Sequence, residues 1–198
     1  MSEQSSCFHL SGAISRLGEK LPALMDRSIS NDTAIRARTA EIIERVRTGG
    51  DAELFALARE LDGVQLESLE VDPARVRRAL EQLSPSLRAA MERAAANITT
   101  FHRALVPRPV EVETEPGVIV GRRADPLGTV GIYAPGGRAA YPSSVLMGAI
   151  PARVAGVGTV VLCSPPARDG APSPVVLAAA ALAGVDRVFS LGGAGAVA

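Results

Sequence analysis

Apolar residues in the first half of the chain recur at intervals of three and four, the spacing that places side chains on one face of a helix. The most regular stripe comprises Leu87, Met91, Ala94, Ile98, Phe101 and Leu105. An earlier stripe comprises Ile35, Ile42, Ile43 and Val46. The pattern predicts a mainly helical region, and each stripe is interpreted first as a packing surface.

Residues that cap helices divide this region. The candidate N-terminal caps are, in chain order, Asn31 or Asp32, Asp51, Asp72 and Ser84. Proline follows the last two directly, and proline is favoured in the first turn of a helix. Gly49-Gly50 and Gly63 are the predicted ends of the first two helices. Four helices are therefore expected before residue 107.

The periodicity changes at Pro107, where alternating apolar and acidic residues predict a β-hairpin near 110–122. Short apolar strands then alternate with helices, which is typical of parallel strands joined by right-handed crossovers. The predicted strands and helices are 129–134, 143–157, 159–163, 173–183 and 187–191. We expect an α/β protein in which a helical N-terminal region, residues 1–125, precedes an incomplete Rossmann-like parallel βαβαβ unit, a truncated domain of residues 126–198. One face of that sheet should expose apolar surface, since the unit lacks a helix to cover it.

Composition narrows the classes of function. The chain has 198 residues, 47% of them apolar, and its 21 basic and 21 acidic residues cancel. There is no overall field to attract nucleic acid or an anionic membrane. Two cysteines, Cys7 and Cys163, fit neither a disulfide framework nor a thiolate zinc site, and no export signal or spanning segment is recognisable. A cytoplasmic protein is expected.

The glycine turn after the first predicted parallel strand is the main candidate site. Gly136 and Gly137 allow a ligand to approach the main chain, and Tyr133 could stack on a ring or donate a hydrogen bond. Ser143 or Ser144 can cap the helix that follows, whose free N–H groups favour an anionic or electron-rich ligand such as a nucleotide or a carboxylate. A tight turn without a ligand fits the same spacing, so both readings stay open here.

Other candidate chemistry is weaker. The cluster from Gly192 to Ala198 formally matches G-x-G-x-x-A, but no helix or acidic residue follows it, so it is interpreted as an unfinished strand-to-helix turn. His102 is interpreted as a satisfied or exposed side chain, because zinc needs three or four converging donors. No metal-hydrolase or serine-hydrolase motif occurs, and no residue is a convincing general base.

Several of these segments together resemble the histidinol dehydrogenase family. The strongest are VGIYAPGG and YPSSVLMGAIPARVAGV, followed by VVLCSPP, all within residues 130–166. Further landmarks are Val46–Asp51, Glu60–Gly63, Ile98–His102, Ala183–Asp186 and Leu191–Ala194. The likeness covers the chain from about residue 30.

The resemblance implies a zinc-containing, NAD-dependent oxidoreductase that converts L-histidinol to L-histidine in two steps at the end of histidine biosynthesis. It implies a homodimer that shares its active sites. It also implies that Tyr133 belongs to the NAD site, with Gly136, Gly137 and the helix start at Ser143 in the same cleft. The family's zinc ligands and Glu-His catalytic pair lie beyond the matched part, so no catalytic or metal residue is assigned within 1–198.

One matched position departs from the family pattern. Gly195 stands where members usually have glutamine at the NAD site, and losing that amide would remove on the order of 1 kcal/mol of binding. The first hypothesis is an N-terminal part of a histidinol dehydrogenase that is inactive alone. The alternatives are a non-catalytic nucleotide-binding or dimer-forming protein, and a related NAD-dependent dehydrogenase acting on another alcohol.

Overall fold

The computed structural model describes residues 33–136 and 139–198, so the predicted caps Asn31 and Asp32 lie outside the described residues. The chain divides into two units, Met1–Glu41 and Ile42–Ala198. The described residues of the first unit form the start of helix α1 (Thr33–Gly49), where Arg38 and Glu41 pair at 3.1 Å. The second unit contains the remaining elements.

The predicted helices are present before the hairpin. They are α1, α2 (Asp51–Leu57), which continues as a π-helical turn over Ala58–Asp62, α3 (Pro73–Glu81) and α4 (Pro85–Leu105). Gly63 ends the π-helical turn in the left-handed conformation, with φ of 69°. This conformation is favourable for glycine, which has no Cβ.

Two of the predicted caps are confirmed. The Asp72 carboxylate accepts a hydrogen bond from the Ala74 amide at 2.8 Å, and the Ser84 hydroxyl accepts one from the Leu87 amide at 3.3 Å. The prediction for Asp51 is wrong. Gly50, with φ of 58°, precedes the helix, so Asp51 is the first helical residue and makes no capping bond.

The predicted hairpin and parallel unit are both confirmed. Strands β1 (Val110–Glu115) and β2 (Val118–Arg122) pair antiparallel. The parallel unit comprises β3 (Thr129–Tyr133), α5 (Pro142–Val154), β4 (Thr159–Ser164), α6 (Pro174–Leu182) and β5 (Arg187–Ser190). The strand order is β3-β4-β5, with both pairs parallel. The fold is therefore α/β, with a helical region before a three-stranded parallel sheet.

The core lies on one side of this sheet. Helices α5 and α6 pack against each other, α4 packs on α5, and α3 packs on α6. Alternate strand residues face this helical layer and are almost fully buried; they are Val160, Leu162, Ser164, Val188 and Ser190. The run of small residues Ala178–Ala180, completely buried in α6, allows this close packing of helices.

The opposite face of the sheet is partly exposed, as expected. It carries the other set of alternating side chains, which includes Tyr133, Val161, Cys163 and Phe189. Tyr133 is 40% exposed, and a Cβ added at Gly131 would meet no atom within 4 Å. We call these residues, with Gly131, the open face.

The long stripe on α4 packs only in its middle. Met91 is buried, but Leu87, Phe101 and Leu105 are 39%, 62% and 58% exposed. The prediction that the whole stripe forms a packing surface is therefore wrong at both ends. Helix α4 has 21 residues and its neighbour α5 has 13, so α4 extends beyond the helix against which it packs.

A clamp joins the elements at the amino edge of the sheet. The Arg153 guanidinium donates to the carbonyl oxygens of Gly184 and Val157 and pairs with Asp186. The Asp186 carboxylate also accepts from the Val160 amide at 2.7 Å. That amide, foremost, and then Arg153 hold the pKa of Asp186 below its usual value.

Candidate functional site

The loops that follow the three parallel strands meet at Pro165. A Cβ at Gly136, after β3, would lie 3.3 Å from the Pro165 ring, and one at Gly192, after β5, would lie 3.1 Å from it. Real side chains rarely come this close, so glycine permits both loops to pack on the proline. This contact is a structural reason for Gly136, beside its predicted role in a ligand site.

Tyr133 connects the first loop to the third. Its hydroxyl accepts a hydrogen bond from the Gly193 amide at 3.2 Å. Gly193 has φ of 57° and begins a short 3-10 helix, Gly193–Ala196. The structure therefore brings the two glycine clusters of the sequence together at the carboxyl edge of the sheet. Parallel α/β proteins place ligands at this edge.

Among the cavities that the described residues form, two open beside Gly136 or Gly193. The larger, about 390 Å³, is bordered by residues that include Gly136, Ala139, Ser164 and Ser173. The smaller, about 140 Å³, lies between the α2 region and the third loop, and its lining includes Leu54, Leu57, Gly193 and Gly195. Their position at the ends of three strands makes them the candidate site.

Asp62 borders both cavities. The residue as a whole is exposed, yet its carboxyl is partly removed from water, and this desolvation raises the pKa of Asp62. A raised pKa keeps a carboxyl group protonated, and able to donate a hydrogen bond, to a higher pH than usual. Asp62 lies in the family-like segment Glu60–Gly63, but the sequence gives it no role of its own, because acidic residues on helices in this region resemble a solvated surface.

Ser190 is a second site residue that the sequence did not reveal. It is 1% exposed, and its Oγ has no hydrogen-bond partner among the described residues. It lines the smaller cavity together with Asp62. The sequence does contain one signal for Ser190, which is a serine at a strand position that faces the helical layer. A buried hydroxyl group normally has a hydrogen-bond partner, so a serine at such a position suggests a ligand or another polar group nearby.

The predicted capping of α5 by serine is wrong. Tyr141 occupies the N-cap position without a side-chain bond, and Pro142 is the first helical residue. Because proline fixes its own φ, the helix begins earlier than the serine pattern indicated. Ser143 is exposed in the first turn of α5. Its role in ligand binding stays a prediction, and Gly137 lies outside the described residues.

Gly195 is buried at the wall of the smaller cavity. A Cβ there would lie 3.3 Å from Leu57 Cδ1 and 3.5 Å from Leu54 Cδ2. A side chain at this position would therefore have to displace the ends of these leucines. The absence of a side chain lets the third loop pack against α2, and the predicted cofactor role of Gly195 stays a prediction.

No metal site is formed by the residues that the structure describes. They contain no group of three or more His, Cys, Asp or Glu side chains placed to hold an ion. His102 lies edge-on to Phe101, with ring centroids 5.4 Å apart. None of the helices in the described ranges has the length and apolar character needed to cross a bilayer.

The parallel strand-helix-strand unit, with glycine turns converging at its carboxyl edge, defines a protein of the parallel α/β class with a cleft at the strand ends. Comparison with protein families makes the assignment specific. The model of the family described as "Histidinol dehydrogenase" matches residues 25–198. The chain belongs to the histidinol dehydrogenase family.

Individual relatives agree with this assignment. The histidinol dehydrogenase of Methanosarcina barkeri is 43% identical over 186 residues, which cover 92% of this chain and 43% of the relative. That of Xylella fastidiosa is 48% identical over 166 residues, 84% of this chain and 38% of the relative. The chain thus spans about two fifths of the length of the relatives it matches.

A solved structure shows the same fold. The crystal structure of histidinol dehydrogenase from Elizabethkingia anophelis superposes with a TM-score of 0.78 at 32% sequence identity. The superposition covers 82% of this chain and 38% of that one.

Proposed function

We propose that this chain supplies one wall of the NAD cleft in a histidinol dehydrogenase, which oxidises L-histidinol to L-histidine in histidine biosynthesis. The observation that carries the proposal is the hydrogen bond between Tyr133 Oη and the Gly193 amide. It unites two family-like glycine segments at the strand ends, where parallel sheets bind nucleotides. The family membership supports the choice of substrate.

Three features of the cleft support the choice of a dinucleotide. The cavity of about 390 Å³ lies between the loops after β3 and β4, and Tyr133 is exposed enough to contact a ring. The N-terminus of α5 lies at this edge, and the positive end of the helix dipole favours a phosphate. Bound NAD would accept the hydride from the alcohol. The chain's own part is to bind and orient the cofactor through Tyr133, Gly136, Gly137 and Ser143.

The proposed oxidation belongs to a longer protein than residues 1–198. The relatives are more than twice as long as the part matched here, and the described residues form no metal-binding group. We assign no catalytic step to this chain and expect it to be inactive alone. Zinc and a homodimeric state stay predictions from the family resemblance, and a cytoplasmic location stays a prediction from the composition.

A chimeric enzyme tests the proposal. Residues 30–198 would replace the matching segment of the Methanosarcina barkeri enzyme, and NADH formation from L-histidinol would be followed at 340 nm with zinc present. The chimera should turn over, and the 198-residue chain alone should not. A folded, zinc-loaded chimera without turnover, or turnover by the isolated chain, would overturn the proposal.

Substituting Tyr133 tests the cofactor cleft within the chimera. Tyr133→Ala removes the ring and the hydroxyl, so the KM for NAD should rise about fivefold, the equivalent of about 1 kcal/mol. The KM for histidinol should change little. Phe101→Ala is the control, because Phe101 is an exposed aromatic residue on α4, outside the candidate site. Equal effects of the two substitutions would contradict a specific role for Tyr133.

A further inference from the structure

Two polar groups at the smaller cavity lack a partner within the described residues. Ser190 is 1% exposed, and its Oγ forms no hydrogen bond there. Desolvation is the only cause that raises the pKa of Asp62, so no neighbouring cation or donor offsets it. Both residues line the same cavity, about 140 Å³ in volume. Because polar groups removed from water are normally hydrogen-bonded, each indicates a partner that a ligand supplies.

The main chain fixes Asp62 where the two cavities meet. Asp62 is the last residue of the π-helical turn Ala58–Asp62, which Gly63 ends in the left-handed conformation. Single π-helical turns are rare and often occur at functional sites. Asp62 borders both the smaller and the larger cavity. A ligand that occupies both cavities therefore passes the Asp62 carboxylate.

The two cavities differ in polarity and charge. The smaller cavity is walled by the apolar side chains of Leu54, Leu57 and Leu61 and by glycines of the third loop. Because a cation is costly to bury in apolar surroundings, this cavity suits a neutral ring such as adenine better than the cationic nicotinamide. The larger cavity is bordered by Ser164 and by the exposed residue Arg168. A guanidinium group attracts phosphate, so the phosphates of a nucleotide suit the larger cavity.

The chemistry of Asp62 restricts what lies between the base and the phosphates. A carboxylate accepts hydrogen bonds, so the ligand must supply O–H or N–H donors at this point. A phosphate supplies none when ionised, and a carboxylate repels it. In a nucleotide the ribose joins the base to the phosphate, and its two hydroxyl groups can donate to one carboxylate. Acidic residues bind the ribose 2′-hydroxyl in this way in other dinucleotide-binding folds.

We propose that Asp62 selects NAD over NADP by accepting hydrogen bonds from the ribose hydroxyls of the adenosine half. The adenine lies in the smaller cavity, where the Ser190 hydroxyl donates to it. NADP carries a phosphate on the 2′-hydroxyl, and that phosphate would lie against the Asp62 carboxylate. The inference rests on the proposed NAD cleft and adds the residue that distinguishes the two dinucleotides.

Nucleotide binding by the 198-residue chain tests the selection, because every group named here belongs to this chain. NAD and NADP would be titrated separately into wild type and Asp62→Asn, with the heat of binding as the signal. Wild type should bind NAD more tightly. Asparagine keeps the size of the side chain and removes its charge, so the ratio of the Kd for NADP to the Kd for NAD should fall about tenfold. An unchanged ratio, or no binding of either nucleotide, would overturn the proposal.

Asp51→Asn is the matched control. It removes the same charge from an exposed carboxylate at the start of α2 that is outside the lining of both cavities. The ratio of the two Kd values should stay at its wild-type value. A ratio that falls equally in Asp51→Asn and Asp62→Asn would show an effect of net charge and contradict selection by Asp62.

Ser190→Ala tests the place of the base. The Ser190 hydroxyl has no partner among the described residues, so its removal should not lower the urea midpoint of the free chain. The affinity for NAD should nevertheless fall about threefold, because a hydrogen bond to the adenine is lost. An unchanged affinity for NAD would contradict the assignment of the smaller cavity to adenine.

Turnover by the chimera separates this inference from the proposed function. If the chimera oxidises histidinol with a preference for NAD over NADP that Asp62→Asn does not alter, the proposed function stands and selection by Asp62 is wrong. If the 198-residue chain shows the expected change in the Kd ratio and the folded, zinc-loaded chimera forms no NADH, selection by Asp62 stands and the proposed oxidation is wrong.

Discussion

The hydrogen bonds and the pKa of a polar side chain in this protein can depend on partners from distant parts of the chain. Asp186 was a sequence landmark without an assigned role, and the fold places its carboxylate against the Val160 amide and Arg153. These contacts lower the pKa of Asp186, and the hydrogen bond from the Val160 amide is the largest cause. A carboxylate stabilised in this way links the stability of the fold to pH.

The Asp186→Asn variant should show that link. Asparagine cannot become charged, so wild type should be the more stable protein above the unfolded-state pKa of about 3.9. Because the folded-state pKa is lower, this advantage should disappear as the pH falls through about 4 and below. Urea unfolding at pH 7 and at pH 3 measures it. A stability difference between the two proteins that is independent of pH would contradict the assignment.

Gly193 provides a second test at the residue scale. Its φ of 57° is unfavourable for residues with a Cβ, and an added Cβ would meet no atom within 4 Å. Gly193→Ala should therefore destabilise the chain by about 1 kcal/mol through backbone strain alone. Gly128→Ala is the control without positive φ and should be neutral or slightly stabilising. Equal urea midpoints for the two variants would rule out strain at Gly193.

Single elements follow local signals where those signals are satisfied within a few residues. Asp72 and Ser84 cap α3 and α4 as the sequence predicts, because each side chain reaches an amide two or three positions away. Asp51 and Ser143 do not act as caps, because Gly50 and Pro142 begin those helices differently. Local chemistry thus predicts most boundaries, and a competing glycine or proline shifts the others.

The cap of α3 can be measured directly. Asp72→Ala leaves the Ala74 amide without its acceptor, so the chain should lose about 1 kcal/mol of stability. Asp72→Ser keeps an acceptor at the same position and should retain most of the wild-type stability. Thermal unfolding of the wild type and the two variants measures these differences in stability. If Asp72→Ser loses as much stability as Asp72→Ala, the Asp72 carboxylate stabilises the fold by another interaction than the cap.

At the scale of the whole molecule, the hairpin and the parallel sheet have very different surroundings. All residues of β1 and β2 are exposed, including Val112 and Val120 at 55% and 58%. An isolated two-stranded hairpin is only marginally stable. By contrast, Val160 and Leu162 of β4 are completely buried. The two regions should therefore open independently.

Amide hydrogen exchange should report this difference. The amides of β1 and β2 should exchange through local opening at little free-energy cost, and those of β4 only through near-global unfolding. Exchange followed by mass spectrometry at neutral pH distinguishes the two cases. Equal protection of the hairpin and β4 would show that another part of the protein covers the hairpin.

The sequence by itself determined the elements and the class of fold. Helical spacing, caps and short apolar strands depend on neighbours within a few residues, and the PGG segment carries the family likeness in a continuous stretch. Only the tertiary structure decided which faces are covered and which site residues meet. Contacts such as Tyr133 with Gly193, Gly136 with Pro165, and Gly195 with Leu57 join residues far apart in the chain. No local pattern encodes them, since each depends on how the strands and helices pack.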